Sequence, residues 1–244
     1  MIASLPMYWR AENAGLWRDF WSVLQTCAQS EGVAVPGLTP PENLPADLYS
    51  HWRSPDLALS MTCGLPFRSK LQNEVQYIGT LDFGLGGPEG HYHSQIITRR
   101  DLAGPPRTLA YNSADSQSGW AAAQEMPDRG SITTFLETGA HAQSLAAVAE
   151  GRADIASLDA VIWRILQAVD PNAAEVTPTG TTRPTPGLPL IAAQGIDPEP
   201  LRRALTAATC AFDPANPDLM GGPMTFCVLN VHSYLAEPIP TPPN

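Results

Sequence analysis

Short apolar runs alternate along the chain with longer stretches in which apolar residues recur every three or four positions. The runs predict strands at residues 2–5, 57–62, 75–79, 92–99, 108–112, 155–158 and 188–192. The periodic stretches predict helices at residues 14–30, 44–52, 118–125, 141–150, 160–168 and 198–209, whereas residues 224–234 are ambiguous. Strands that alternate with helices of this length indicate βαβ units and a mainly parallel sheet.

Proline divides this pattern, because the 25 prolines are clustered along the chain. They mark loops at residues 36–45, 105–106 and 178–189, and they predict a disordered tail at residues 238–244. A length of 244 residues with 43% apolar residues allows one large domain or two small lobes with a sizeable core.

The charge balance is acidic, with 24 Asp and Glu against 14 Lys and Arg, a formal net charge of −10, and Lys70 as the single lysine. Nucleic acids and anionic membranes are bound through clustered cations, so neither is expected as a partner. A recessed site can still bind a small anion through its own local field. No window reaches 18 consecutive apolar residues, so no membrane insertion is expected.

The cysteines and histidines give no pattern typical of a metal site. Cys27, Cys63, Cys210 and Cys227 form no CxxC pair, and we expect four buried free thiols, with one remote disulfide as the alternative. Cys63 ends a strand, but with no basic neighbour it is interpreted as a buried thiol and not as a nucleophile. The pair His91 and His93 lacks the Glu that follows it in cupin metal sites.

In open α/β sheets, ligands bind beyond the carboxyl ends of strands, so the strand-to-helix junctions are the first places to search. Ser116, Gln117, Ser118 and Gly119 follow the strand at 108–112 and precede a helix. Free backbone N–H groups, hydroxyls and the positive end of a helix dipole all suit a tetrahedral oxyanion. The alternative is an ordinary helix cap.

Two further junctions carry single polar residues. His141 follows Gly139 in the first turn of a helix, where it is either a surface or capping residue or a ligand of a bound anion. Asp159 stands between a strand and a helix, where a carboxylate can cap the helix or accept a hydrogen bond from a ligand. Tyr92, with an apolar ring and a polar tip, is the residue of its strand that we expect to line a pocket.

Several of these segments resemble a known family, the phosphate/phosphite/phosphonate ABC-transporter substrate-binding proteins. Residues 115–120, Asp-Ser-Gln-Ser-Gly-Trp, are similar to the family's Ser/Thr–Ser–Gly–aromatic turn. Residues 139–141, Gly-Ala-His, followed by residues 146–156, Ala-Ala-Val-Ala-Glu-Gly-Arg-Ala-Asp-Ile-Ala, resemble its most specific segment. Thr62-Cys63-Gly64 and Tyr92-His93-Ser94 fit a subgroup, and the resemblance covers roughly residues 2–195.

This resemblance implies an α/β, two-lobed type II periplasmic-binding-protein fold, in which each lobe is a mixed sheet flanked by helices. Lobe one would comprise residues 1–95 plus 190–244, lobe two would comprise residues 96–189, and the lobes would close on a ligand in the cleft between them. The implied ligand-binding residues are Tyr8, Thr62, Tyr92, Ser116, Gln117, Ser118, His141 and Asp159. Ser116 to Ser118 would hold the anion, His141 and Tyr92 would reach its other oxygens, and Tyr8 and Thr62 would close the site from lobe one.

The implied function is binding of phosphate, phosphite or an alkylphosphonate without a cofactor, by a monomer that works with an ABC-transporter permease. An amine-bearing ligand is less expected, because residues 186–189 lack the acid that pairs with the amine in some members. One alternative is an enzyme on the same fold, with Asp159 and His141 as its acid–base pair. Another is a sensor that presents its lobes to a partner protein. The N-terminal residues 1–6 do not resemble a secretory signal, which leaves a periplasmic location by resemblance and a cytoplasmic one both open.

Overall fold

The computed structural model describes residues 1–243. The helices are α1 (Ala14–Ser30), α2 (Leu48–Trp52), α3 (Gly64–Pro66), α4 (His141–Ala149), α5 (Ala160–Val169), α6 (Pro198–Ala211) and α7 (Val231–Leu235). The strands are β1 (Ile2–Ser4), β2 (Leu57–Met61), β3 (Val75–Asp82), β4 (His91–Tyr92), β5 (Ser94–Arg99), β6 (Thr108–Tyr111), β7 (Thr134–Glu137), β8 (Ile155–Asp159), β9 (Val176–Thr181), β10 (Thr185–Pro186), β11 (Pro189–Ala193) and β12 (Thr225–Cys227).

Ten of these strands form two five-stranded mixed sheets, with the orders β1-β2-β11-β3-β12 and β7-β6-β8-β5-β9. The chain passes from the first sheet to the second after β3 and returns after β9. The two crossing segments pair with each other through β4 and β10, where Tyr92 lies opposite Thr185. The α/β fold with mixed sheets flanked by helices is therefore confirmed.

The prediction of a mainly parallel sheet is wrong. Only β1 with β2, and β6 with β7 and β8, run parallel among the described pairs of the two large sheets. Every antiparallel pair there contains β3, β5 or β11, the strands next to the crossings between the sheets. Alternation of strand and helix signals cannot report such reversals of direction.

Individual elements differ from the sequence prediction at their boundaries. The second helix begins at Leu48 and not at residue 44, because the Asp47 side chain accepts from the Tyr49 N–H at 3.0 Å and caps the helix there. The strand predicted at 92–99 is interrupted at His93. Strands β7 and β9 were not predicted. By contrast, α1 spans the predicted residues and packs against α6.

All four cysteines are free, as expected, but the expectation that they are buried is wrong: Cys210 is exposed and the other three are half-buried. In the predicted tail, the Pro238 carbonyl accepts from Arg68 Nη2 at 2.6 Å and the Thr241 carbonyl accepts from Trp120 Nε1 at 3.0 Å. Asn244 lies outside the described residues. None of the helices within residues 1–243 has the length and apolar character that a membrane span requires.

Candidate functional site

The carboxyl ends of parallel strands from both sheets border one pocket. From the first sheet, Tyr8 follows β1 and Cys63 follows β2; from the second, Ser116 follows β6, His141 follows β7 and Asp159 ends β8. The pocket has a volume of about 410 Å³. Its lining residues are Met7, Tyr8, Ala46, Asp47, Leu48, Tyr49, Trp52, Cys63, Pro66, Asn112, Ser113, Asp115, Ser116, Ser118, Gly139, His141, Asp159, Ile162 and Leu188.

The structure brings most of the residues singled out in the sequence to this pocket. Those that line it are Tyr8, Ser116, Ser118, His141 and Asp159. Thr62, Tyr92 and Gln117 are buried and do not form part of its wall. Thr62 directly precedes Cys63, which does line the pocket, and the Gln117 N–H donates to Cys63 Sγ at 3.2 Å. Two hydroxyl groups of the Ser116–Ser118 turn, one tyrosine, one imidazole and one carboxyl group thus converge on the same space.

The turn at Ser116 is held in place from several sides. Ser116 Oγ accepts from the Gly119 N–H at 3.0 Å and caps an irregular helical segment that begins as a π-helical turn at Gln117–Ala121. The Ser118 carbonyl accepts from Ser94 Oγ at 3.1 Å and from Ser157 Oγ at 2.7 Å. Both bonds fix the turn to neighbouring strands of its sheet, so the capping interpretation and a position at the pocket hold together.

Glycine is required at position 119 by a close approach. A Cβ atom there would lie 1.9 Å from Asn112 Oδ1 and 3.3 Å from the Asn112 backbone nitrogen. Asn112 itself lines the pocket. The absence of a side chain at Gly119 therefore allows the Asn112 amide to lie against the turn.

His141 begins α4, whose first turn has no side-chain cap. Gly139, two residues earlier, has a φ of +86°, a backbone conformation that favours glycine. His141 Nε2 lies 2.9 Å from Ser118 Oγ, while Nδ1 is buried and has no hydrogen-bond partner within residues 1–243. Burial lowers the pKa of His141 to about 4, because removal from water disfavours the charged ring. The imidazole is neutral at pH 7.

Asp159 both caps α5 and faces the pocket. Its Oδ1 accepts from the Val161 N–H at 2.8 Å and the Ile162 N–H at 3.3 Å, and its Oδ2 accepts from the Tyr8 hydroxyl at 3.1 Å. Burial raises the pKa of Asp159 to about 7, even though these hydrogen bonds oppose the shift. His141 and Asp159 thus hydrogen-bond to Ser118 and Tyr8 respectively, and no bond in the described chain joins them as an acid–base pair.

Buried polar atoms that lack a partner within residues 1–243 collect around this pocket. They include Trp52 Nε1, Thr62 Oγ1, Tyr92 Oη, Asn112 Oδ1, Gln117 Oε1 and His141 Nδ1. Buried polar groups are nearly always hydrogen-bonded in folded proteins. A concentration of unpaired donors and acceptors at one pocket is typical of a site that binds a polar ligand.

Side chains from the two sheets also meet at the rim. Asp115 Oδ2 accepts from the Tyr49 hydroxyl at 2.8 Å and from Lys70 Nζ at 3.2 Å. No Lys or Arg is among the residues that line the pocket within the described chain. Burial raises the pKa of the Cys63 thiol, which keeps it protonated and a weak nucleophile. Residues 1–243 also contain no group of three His, Cys, Asp or Glu positioned to hold a metal ion.

Comparison with known protein families identifies this arrangement. The family model described as "ABC transporter, phosphonate, periplasmic substrate-binding protein" matches residues 71–221, more than half of the chain. The chain belongs to this family. The matched segment contains Tyr92, the Ser116–Ser118 turn, His141 and Asp159, whereas Tyr8 and Thr62 lie outside it. Members are the substrate-binding components of ABC transporters, which implies a small ligand and a permease partner. No curated protein matches the sequence.

Solved structures of phosphonate-binding proteins share the fold. PhnD1 from Prochlorococcus marinus, in complex with methylphosphonate, has a TM-score of 0.70 at 12% identity, over 96% of this chain and 94% of that chain. A binding-protein component of an ABC phosphonate transporter from Pseudomonas aeruginosa has a TM-score of 0.65 at 15% identity, over 93% and 81%. XAC2383 from Xanthomonas citri, bound to ATP, has a TM-score of 0.67 at 18% identity, over 97% and 96%.

Sequence reasoning missed one side of the pocket of this phosphonate-family protein. Met7, Leu48, Tyr49 and Trp52, which we call the α2 wall, all line it. The three residues from α2 lie on a helix of only five residues, which is too short to show a period. Asn112 was missed as well, although its position at the end of a strand next to the serine-rich turn was a usable signal.

Proposed function

We propose that this phosphonate-family protein binds a small phosphorus oxyanion, which is phosphate, phosphite or an alkylphosphonate, in the pocket between its two sheets. The observation that carries the proposal is the convergence of uncharged hydrogen-bonding groups on one point. The Ser116 and Ser118 hydroxyls, the Tyr8 hydroxyl and the uncapped first turn of α4 all border the pocket. Such groups suit the several oxygens of a tetrahedral anion.

The proposed contacts place the anion between the lobes. The residues that would contact it are Tyr8, Thr62, Tyr92, Ser116, Gln117, Ser118, His141 and Asp159. Lobe one would comprise residues 1–95 plus 190–244 and lobe two residues 96–189, with the β4–β10 pair between them as the hinge. The hydrogen bonds of Asp115 to Tyr49 and Lys70 support a closed arrangement, because they join residues assigned to different lobes.

The same carboxyl group sets the form of ligand that fits. A pKa of about 7 leaves Asp159 partly protonated at neutral pH, so it can donate a hydrogen bond to an anion oxygen. When it is ionised, Asp159 would repel a second negative charge. We therefore expect the complex to hold one proton shared among the carboxyl group and the ligand oxygens.

A calorimetric titration of ligand-free protein with phosphate, phosphite, methylphosphonate and sulfate tests the proposal. At least one of the three phosphorus anions should bind with a measurable heat. A ligand at 100 times its dissociation constant should also raise the free energy of unfolding by about 2.7 kcal/mol. Ser118→Ala and His141→Ala should each weaken binding at least tenfold, since each leaves a buried partner unpaired. Ser22→Ala on the exposed face of α1 is the matched control. Absence of heat with all three phosphorus anions refutes the proposal.

A further inference from the structure

The pocket is larger than its hydrogen-bonding end requires. Its volume is about 410 Å³. A dry protein cavity of about 150 Å³ is enough to hold benzene. A tetrahedral anion at Ser116, Ser118 and His141 therefore leaves room for an attached group of at least benzene size. The nature of that group can be inferred from the remaining walls.

The wall across from the serine-rich turn is apolar and continuous. In the α2 wall, Met7, Leu48 and Tyr49 are half-buried and pack against the hydrophobic cluster that contains Trp52. The Tyr49 and Trp52 rings meet edge to face with centroids 5.6 Å apart. Contact of an apolar ligand group with this surface removes hydrocarbon from water on both sides, which favours binding.

The charged groups of this side already have partners. Asp47 Oδ1 accepts from the Tyr49 N–H at 3.0 Å, where it caps α2. Asp115 Oδ2 accepts from both Tyr49 and Lys70. A cationic ligand group would have to compete with these bonds, and Lys70 would repel it. The residues near the end of the second crossing segment, 186–189, contain no acid.

We propose that the substrate is an organophosphonate with an uncharged apolar substituent, alkyl or aromatic, which lies against the α2 wall while the phosphonate lies at the serine-rich turn. This inference rests on the proposed function and extends it from the anion to the group attached to it. Trp52 adds a buried indole N–H with no partner within residues 1–243, which can accommodate one hydrogen-bond acceptor on that group.

A matched series of phosphonates tests the substituent. Propylphosphonate and 2-aminoethylphosphonate have the same number of heavy atoms and differ only in a terminal methyl or ammonium group. We expect calorimetry to give the order phenyl and propyl tighter than methyl, and methyl tighter than aminoethyl. Each buried methylene contributes about fourfold in affinity, so propylphosphonate should bind about fifteenfold more tightly than methylphosphonate.

Variants locate the effect in the pocket. Leu48→Ala and Met7→Ala should each lower the propyl-to-methyl affinity ratio at least about threefold, because each removes apolar contact area. Ser118→Ala should weaken both ligands by a similar factor, since it acts on the phosphonate end. Leu235→Ala, the same change on the exposed face of α7, should leave the ratio as in the wild type.

The outcomes separate the two proposals. If methylphosphonate binds but propyl- and phenylphosphonate bind no more tightly, the apolar substituent is refuted and the anion site remains. If 2-aminoethylphosphonate binds more tightly than propylphosphonate, the substituent is cationic and this inference is wrong. If none of the phosphonates binds, the proposed function fails and the inference fails with it. Binding of phenylphosphonate in the absence of methylphosphonate binding supports both.

Discussion

Replacing Asp159 by asparagine tests the charge state that the fold imposes on the pocket. The side chain is 3% exposed, and burial raises its pKa from 3.8 to about 7. Between those two values the folded protein keeps a proton that the unfolded chain has released. The wild type therefore loses stability as pH rises from about 4 to about 7, and the loss approaches 4 kcal/mol at about 1.4 kcal/mol per pKa unit.

Asparagine removes this penalty and keeps the cap. Its side-chain oxygen can accept from the Val161 and Ile162 N–H groups as Asp159 does, and asparagine and aspartate are comparable N-caps. The variant should gain about 3 kcal/mol of unfolding free energy relative to the wild type between pH 5 and pH 8. The contribution of His141 is common to both proteins and cancels in the difference.

Urea unfolding followed by tryptophan fluorescence at pH 5, 6, 7 and 8, in buffers without phosphate or sulfate, measures the difference. Asp197→Asn is the matched control, because Asp197 caps α6 in the same way on an exposed surface, and its difference should change by less than about 0.5 kcal/mol. A difference for Asp159→Asn that stays constant from pH 5 to pH 8 would refute the argument that burial keeps this carboxyl group protonated.

Three further outcomes follow from the site. Gly119→Ala should lower the free energy of unfolding by about 1–3 kcal/mol in urea titrations, because its Cβ would lie 1.9 Å from Asn112 Oδ1; Gly130→Ala, where no atom lies within 4 Å, is the control, and equal effects would contradict the clash. Asp115→Asn should weaken the bonds across the rim and raise the radius of gyration of the ligand-free protein in small-angle scattering; an unchanged value means that these bonds do not hold the lobes together. The ring of His141 should titrate near pH 4 in nitrogen NMR spectra, so that stability falls as pH decreases from about 6.5 toward 4; a midpoint near 6.5 would show that the ring is solvated.

Local signals in the sequence were enough to find the elements that position the pocket. Helix α1 spans the predicted residues, and β8 and α5 meet at Asp159 as expected. The junction residues were predictable because polar groups at a strand end or at a helix start have few structural uses besides capping and binding. The carboxyl ends of parallel β6, β7 and β8 share one edge, so their side chains meet without any signal of long range.

The missed elements lacked those signals. Strand β9, Val176–Thr181, is exposed along most of its length and contains Thr, Pro and Gly, so neither an apolar run nor alternation marks it. Strand β7, Thr134–Glu137, is an edge strand with no fully buried residue. The α2 wall belongs to the pocket only because the first sheet faces the second, and such tertiary placement cannot be read from the local pattern.

The acidity of the protein and the proposed anionic ligand are compatible because the pocket uses dipoles in place of cations. A lining lysine or arginine would attract many anions, whereas hydroxyl and N–H groups select an anion by the directions of its oxygens. In a pocket that excludes water each such bond is stronger than in bulk solvent, and each unmatched group costs more. The net charge of −10 then acts only at long range, where physiological salt screens it. Discrimination would come from the geometry at Ser116 and Ser118 and from the proton on Asp159.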